Sequence, residues 1–416
     1  MIPSTALERY QALVNPHWVA QLQQLGGAPV FLRAKGEFLY DNEDKRWLDF
    51  VGHYGTSILG HNNEAVQQRL VALIQQDLPT GAPLGICTGA ALLAERLVDR
   101  IELHGSWKLC TLTTGTEAVE GAVKAALLHT SRRRVLVRRG CFHGNSALTL
   151  HLSDQPAHQV DFEMLRPDLE VVFFEEIDQA LALVSHKDIA ALLIEPVQTM
   201  GGGRTCAADE ADQLLRACRE FGTVSIVDEV FSGLGRCGAY SAMQALGWRE
   251  RPDVLLLAKA LTGSMIPSAQ LMLRTLLFDK LFARAGCQKI LGSTFANNNL
   301  ALNLASAVLD LLDDYLRPDD ALAPLERFGG QLRACATRCP DVIEDVTVLG
   351  ACFFIRMRDT ETCFNLWHSL FLNQVCTTIC QHDPAVLKLI VPLNVSQDAL
   401  DEFSYVFSEL TLDLQG

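Results

Sequence analysis

Seven short runs rich in Val, Ile and Leu fall between residues 107 and 274, and they limit the fold more than any other feature of the chain. They are WKLCTLTTG (107–115), RVLVRR (134–139), VVFF (171–174), IAALLIEPV (189–197), TVSIVDEV (223–230), DVLLLAK (253–259) and QLMLR (270–274). Runs of this kind read as buried strands. Helical patterns lie between several of them. In 116–130 the pairs Ala118/Val119, Ala122/Val123 and Ala126/Leu127 recur every four residues. In 209–221, DEADQLLRACREF carries acids in its first turn and stops at Gly222. Strands alternating with helices predict a mostly parallel sheet covered on both faces, an α/β fold.

The flanks differ from this centre. GEFLYDNEDKRWLDF (36–50) reads as a hairpin turning at Asn42-Glu43-Asp44. Beyond Asn297-Asn298-Asn299 the pattern is mainly helical, with short strands such as CFFIRM (352–357) and VLKLIVPL (386–393). At 416 residues the chain is too long for a typical single compact unit. The expected division is a large ligand-binding domain at 51–297, a smaller α+β domain at 298–416, and an N-terminal segment, 1–50, joining the small domain.

A net charge of −14 argues against nucleic acid, which needs clustered cations. The basic run Arg132-Arg133-Arg134 and the pair Arg138-Arg139 read as solvated strand flanks. MIPSTALERYQALVNPHW lacks a basic start followed by an apolar core, and no apolar run reaches the ~18 residues of a membrane span. A cytoplasmic protein without membrane attachment is expected. Of the thirteen cysteines, Cys335/Cys339 and Cys376/Cys380 have CxxxC spacing without Cys or His partners at zinc-site intervals. They read as reduced core thiols, and no metal is expected.

Three of the runs end in charged residues: Glu195, Asp228-Glu229 and Lys259. Open α/β sheets bind ligands beyond the carboxyl ends of their strands, so an acid and a lysine arriving there form a constellation. In TTGTEAVEGAVK (113–124), Gly115 leaves room at a helix start whose free N–H groups face an anion. Thr114 to Glu117 also fits a capping box, and both readings can hold. In Cys141-Phe142-His143-Gly144, a Phe beside a His after a strand could stack on a planar ring.

Taken in order, GEFLYDNEDKRWLDF, ILGH, TTGTEA, FHG, IEPVQ, IVDEVFSGLGRCG, PDVLLLAKALTG, GSTFANNNLA and VPLN resemble the class III aminotransferases from about Gly36 to Asn394. CFHG and AKAL look most like the putrescine-type members. The resemblance implies a fold type I, pyridoxal 5′-phosphate-dependent transferase: a large domain with a mostly parallel seven-stranded sheet, plus a smaller α+β domain. It implies that Lys259 forms the Schiff base with the cofactor and later carries a proton. Asp228 would hold the pyridine nitrogen protonated. Val230 and Phe142 would cover the ring faces, with His143 beside them, and Gly115 and Thr116 would hold the phosphate. Thr294 of the partner subunit would reach the same phosphate, making a homodimer with shared active sites. Glu229 and Arg236 would be structural neighbours.

Two departures bear on substrate. Phe231 stands where members often carry a Gln that reaches the cofactor's ring hydroxyl. The pattern EPxQGEGG, whose second Glu gates a carboxylate-gripping arginine from a strand xxRxxPPL, becomes EPVQTMGG and LKLIVPL. Met200 and Lys388 replace both halves of that switch. Lysine cannot form the planar fork of arginine, so Lys388 acts as a plain charge, or Arg356 or another residue takes over, or no clamp exists. His53, Tyr54 and the GAPLGICTG loop (81–89) are expected to face the substrate. The expected reaction moves an amino group from a terminal (omega) amine or amino acid to a 2-oxo acid or aldehyde, so the partners are small-molecule amines and carbonyls. A mutase, racemase, decarboxylase or cyclase on the same scaffold is the alternative.

Overall fold

The computed structural model describes residues 5–82, 84–155 and 168–415. Residues 1–4, Pro83 of the expected substrate-facing loop, 156–167 and 416 lie outside them. After two short helices, Ala6–Leu13 and Pro16–Gln24, comes an antiparallel meander, β1 (Phe31–Lys35), β2 (Phe38–Asp41) and β3 (Arg46–Asp49). Asp41 fixes the turn of the expected hairpin. Its carboxylate accepts the N–H groups of Glu43 and Lys45 and the indole N–H of Trp47.

All seven apolar runs form strands of one sheet. They are β4 (Trp107–Leu112), β5 (Arg134–Arg138), β6 (Glu170–Phe174) and β7 (Ile189–Ile194); then, after the small ribbon β8 (Val197–Gln198) and β9 (Arg204–Thr205), β10 (Val224–Asp228), β11 (Val254–Leu257) and β12 (Ala269–Arg274). The order is β4-β12-β11-β10-β7-β5-β6, with β12 antiparallel to both neighbours and the other pairings parallel. Successive residues of the central strands enter different cores. Leu192, Val227, Leu255 and Leu257 join one cluster, while Leu193, Ile226, Val254 and Leu256 join the other. Strand side chains alternate between faces, so a run apolar at every position is what a doubly covered sheet requires.

The helix Gly115–Thr130 covers one face, burying Ala118, Val119, Ala122, Val123 and Ala126. Both reciprocal bonds of its capping box form, Thr114 with the Glu117 N–H and Glu117 with the Thr114 N–H. The helix Ala208–Phe221 stops at Gly222, whose φ of +70° suits glycine. The later strands β13 (Ile343–Leu349), β14 (Cys352–Met357), β15 (Val375–Cys376), β16 (Thr378–Cys380) and β17 (Asp383–Ile390) serve two sheets. The order β13-β14-β17-β16 makes an antiparallel sheet, and β15 pairs with β3.

The basic flank is tied down. Arg132 donates to the carbonyls of Ile189, Phe221 and Gly222, and Arg134 pairs with Asp188 and Glu170. Cys335, Cys339 and Cys380 are buried free thiols. Among the described residues, no helix is long and apolar enough to cross a membrane.

Candidate active site

A cavity of about 330 Å³ lies past the carboxyl ends of β4, β7, β10 and β11. Lys259, Asp228, Gly115, Thr116, Phe142, His143, Val230 and His53 all line it, although they come from five separate segments. Tyr54, Met200, Thr294 and Lys388 are absent from the lining.

Lys259 opens a single turn of 3₁₀ helix just after β11, with a left-handed φ of +41°. Loss of water contact lowers its amine to about 8, and the nearby Lys388 ammonium adds to that, against the opposing carboxylates of Asp228 and Glu195. Asp228 closes β10. One carboxylate oxygen accepts the Val230 N–H at 3.0 Å, and the other lies 2.7 Å from Nδ1 of His143. His143 is fully enclosed. Burial works against a charged imidazole there, yet Cys141 and Asp228 hold it well above its usual value.

Glu195 was visible in the sequence only as an acid at a strand end, without a role. It is buried, accepts the Phe142 N–H at 3.0 Å, and is pushed up to about 7 by burial. It thereby fixes the loop that carries Phe142 and His143. Glu229 and Arg236 do not pair with each other. Glu229 accepts the Ser241 hydroxyl and the N–H groups of Ala242 and Met243. Arg236 donates to the carbonyls of Gly55, Ala351 and Val391.

On the other side, Gly52, His53, Tyr54 and Gly55 are consecutive left-handed residues. For His53 and Tyr54 this conformation costs roughly 1–2 kcal/mol each. The Asp49 carboxylate supports the turn by accepting the Val51 and Gly52 N–H groups. The turn puts the His53 ring in the lining, 3.0 Å from the Thr56 hydroxyl, which in turn meets Ser264 at 2.8 Å. Thr56 and Ser264 carried no sequence signal. Tyr54 is 63% exposed.

Phe231 lines the cavity, and the amines of Lys259 and Lys388 lie 4.6 and 5.5 Å from its ring centre. Lys388, on β17, is buried. Its Nζ donates to the Thr199 carbonyl at 2.9 Å and lies 3.5 Å from the Met200 sulfur. Arg356 pairs with Asp383 in a separate cavity. Thr294 is exposed, beside Ser293, whose hydroxyl meets that of Thr113 at 2.8 Å.

These residues fit pyridoxal 5′-phosphate. A Cβ on Gly115 would come within 2.8 Å of Val230, so only glycine leaves the helix start open beside the residue expected at one ring face. Asp228 faces the cavity with its charge backed by His143, as a protonated ring nitrogen needs. The other His143 nitrogen, Nε2, is buried without a hydrogen-bond partner among the described residues.

The profile of the family described as Aminotransferase class-III matches residues 26–410. Acetylornithine aminotransferase of Mesorhizobium japonicum is 30% identical over 89% of this chain and 90% of its own length. Aminotransferase PigE of Serratia sp. is 30% identical over 80% of this chain, which spans only 38% of that relative. The crystal structure of a transaminase from the marine bacterium Virgibacillus superposes with a TM-score of 0.87 at 19% identity, covering 98% of each chain. The chain belongs to the class III aminotransferases, a family of pyridoxal-phosphate-dependent enzymes.

Proposed function

We propose that the protein moves a terminal amino group from a primary amine or ω-amino acid to a 2-oxo acid or aldehyde. The donor carbon is oxidised to an aldehyde and the acceptor carbonyl is reduced to an amine. One observation carries the substrate half of this reading: among the described residues, Lys259 is the sole lysine or arginine lining the cavity. A substrate α-carboxylate has no clamp there, while a terminal amine needs none.

The bound cofactor supplies an electron sink for cleavage at the amino-bearing carbon. Lys259 Nζ, largely neutral above about pH 8, would take the proton from that carbon and carry it across the nitrogen to the cofactor's aldehyde carbon, two atoms away. Asp228 would keep the ring nitrogen charged, with His143 orienting the carboxylate. Phe142 and Val230, both in the cavity lining, would hold the ring between them. The N–H groups at Gly115 and Thr116 and the Thr116 hydroxyl would receive the phosphate. Thr294 of the partner subunit completes the phosphate site in a cytoplasmic homodimer. Residues 51–297 form the cofactor domain, and 1–50 joins 298–416 in the smaller one.

Single-turnover specificity constants for glutamate, alanine, putrescine and longer ω-amines test the reading. Terminal amines are expected to win, and a wide margin for glutamate would sink the proposal. Borohydride should attach the cofactor to Lys259. Mixing inactive Lys259→Ala and Thr294→Ala subunits should restore about a quarter of the activity if sites are shared, and no recovery would count against the shared site.

A further inference from the structure

We infer that Phe231 sets the donor class of this site: its ring plugs the path from the cavity to the buried Lys388 ammonium, so an amine whose reacting carbon carries hydrogen or a neutral chain is preferred to one that carries a carboxylate there, and a 2-oxo acid acceptor is held without that cation. The inference rests on the terminal-amine reading above and names the wall responsible for it.

Phe231 has two surroundings. Part of it lines the cavity around Lys259, and the rest packs with Cys352, Phe354, Cys380, Val386 and Ile390, residues of the small sheet to which Lys388 belongs. One ring is therefore the shared neighbour of both amines, while Lys388 itself does not reach the cavity wall.

The space for this ring is built in. Gly55 sits at φ +91°, and a Cβ there would come within 2.8 Å of the ring. The Gly55 carbonyl is held by the buried Arg236 guanidinium. The plug is thus braced from the left-handed turn on one side and the small sheet on the other.

What lies behind the plug is an incompletely satisfied cation. An ammonium has three protons. Lys388 has one oxygen acceptor and one sulfur neighbour, and no ion pair with an acid among the described residues. A buried charge in that state would gain strongly from a carboxylate able to approach it. The obstacle is steric, so shortening residue 231 should admit the carboxylate.

The test uses the cofactor-loaded dimer and glutarate, an unreactive dicarboxylate, as the probe in titration calorimetry. Phe231→Ala should bind glutarate at least ~10-fold more tightly than wild type. It should also raise the specificity constant for glutamate relative to putrescine by a similar factor. Adding Lys388→Met to Phe231→Ala should erase both gains. Phe231→Val, a milder truncation, carries the same test if Phe231→Ala unfolds, with a smaller Lys388-dependent gain expected.

A gain that survives loss of Lys388, no gain in either variant, or wild-type glutarate binding already as tight as in the truncation would overturn the inference. Failure of the broader reading looks different: glutamate would then beat terminal amines in the wild type, whatever residue 231 is. If terminal amines win in the wild type and neither truncation responds, only the role given to Phe231 falls.

Discussion

At the Asp228 end of the cavity, each carboxylate is met by a donor at short range. Asp228 has His143 and the Val230 N–H, and Glu195 has the Phe142 N–H. At the Phe231 end, the Lys388 ammonium is held off by a ring and bound to a carbonyl. The first end suits a fixed ligand with its own charges, which a protein can match once and keep. The second suits a variable ligand, and its selectivity comes from shape. Variation at the two ends should therefore fail differently: at the first by loss of chemistry, at the second by change of substrate.

The largest break expected is Lys259→Ala. Removing the group that moves the proton should cut turnover by roughly 10⁴-fold or more, while cofactor is still retained through the phosphate end. Residual turnover above about one per cent in single-turnover kinetics would place the proton transfer on another group.

Next come Asp228 and His143, which separate contact from support. Asp228→Ala should cost about 10²–10³-fold in the half-reaction, as loss of a buried, preorganised electrostatic partner. His143→Gln should cost roughly 10-fold, in the range of a group acting through another. The visible spectrum of bound cofactor across pH gives a second readout: the Asp228 variant should shift its transition further than the His143 variant. Equal losses and equal shifts would make His143 a direct contact.

How much of this was legible in the chain follows from the range of each interaction. The seven strands could be read because a strand buried on both faces is apolar at every position, whatever its neighbours are. Lys259 and Asp228 stood out because charge at the end of such a run is rare. Glu195 was visible for the same reason, but its bond to Phe142 spans 53 residues and leaves no local pattern. The Phe231 wall assembles residues 55, 231 and 388, which share no periodicity. There the sequence showed only departures from a familiar motif. Met200 and Lys388 were expected at the substrate, and neither lines the cavity. Only packing reveals that placement.

Gly55→Ala sharpens the contrast at the second end. It forces a Cβ into a left-handed position and against the Phe231 ring, which should destabilise by about 2–3 kcal/mol. In a Phe231→Ala background the steric part should disappear while the conformational part stays. Denaturant unfolding of the double-mutant cycle measures this, and strict additivity would mean that the turn and the ring are independent.

The smallest effect links the two ends through Lys259 itself. In the cofactor-free protein its amine sits at about 8, against an ordinary 10.5. A base lowered on folding opposes folding fully below its folded value. The penalty fades as pH climbs from about 8 to 10.5, because the unfolded chain binds the extra proton in that window. Lys259→Met should therefore stabilise the cofactor-free protein by about 1–3 kcal/mol near pH 7, and the gain should shrink towards pH 10. Asp228 and Glu195 favour the charged amine, while burial, Lys388 and Arg236 oppose it. Lys388→Met should then let the Lys259 amine rise, moving the start of that window above pH 8. Thermal unfolding of the single and double variants at several pH values checks both claims. A Lys259→Met gain that is constant with pH would show that Lys259 titrates normally, and a window unmoved by Lys388→Met would show that the two amines do not feel each other.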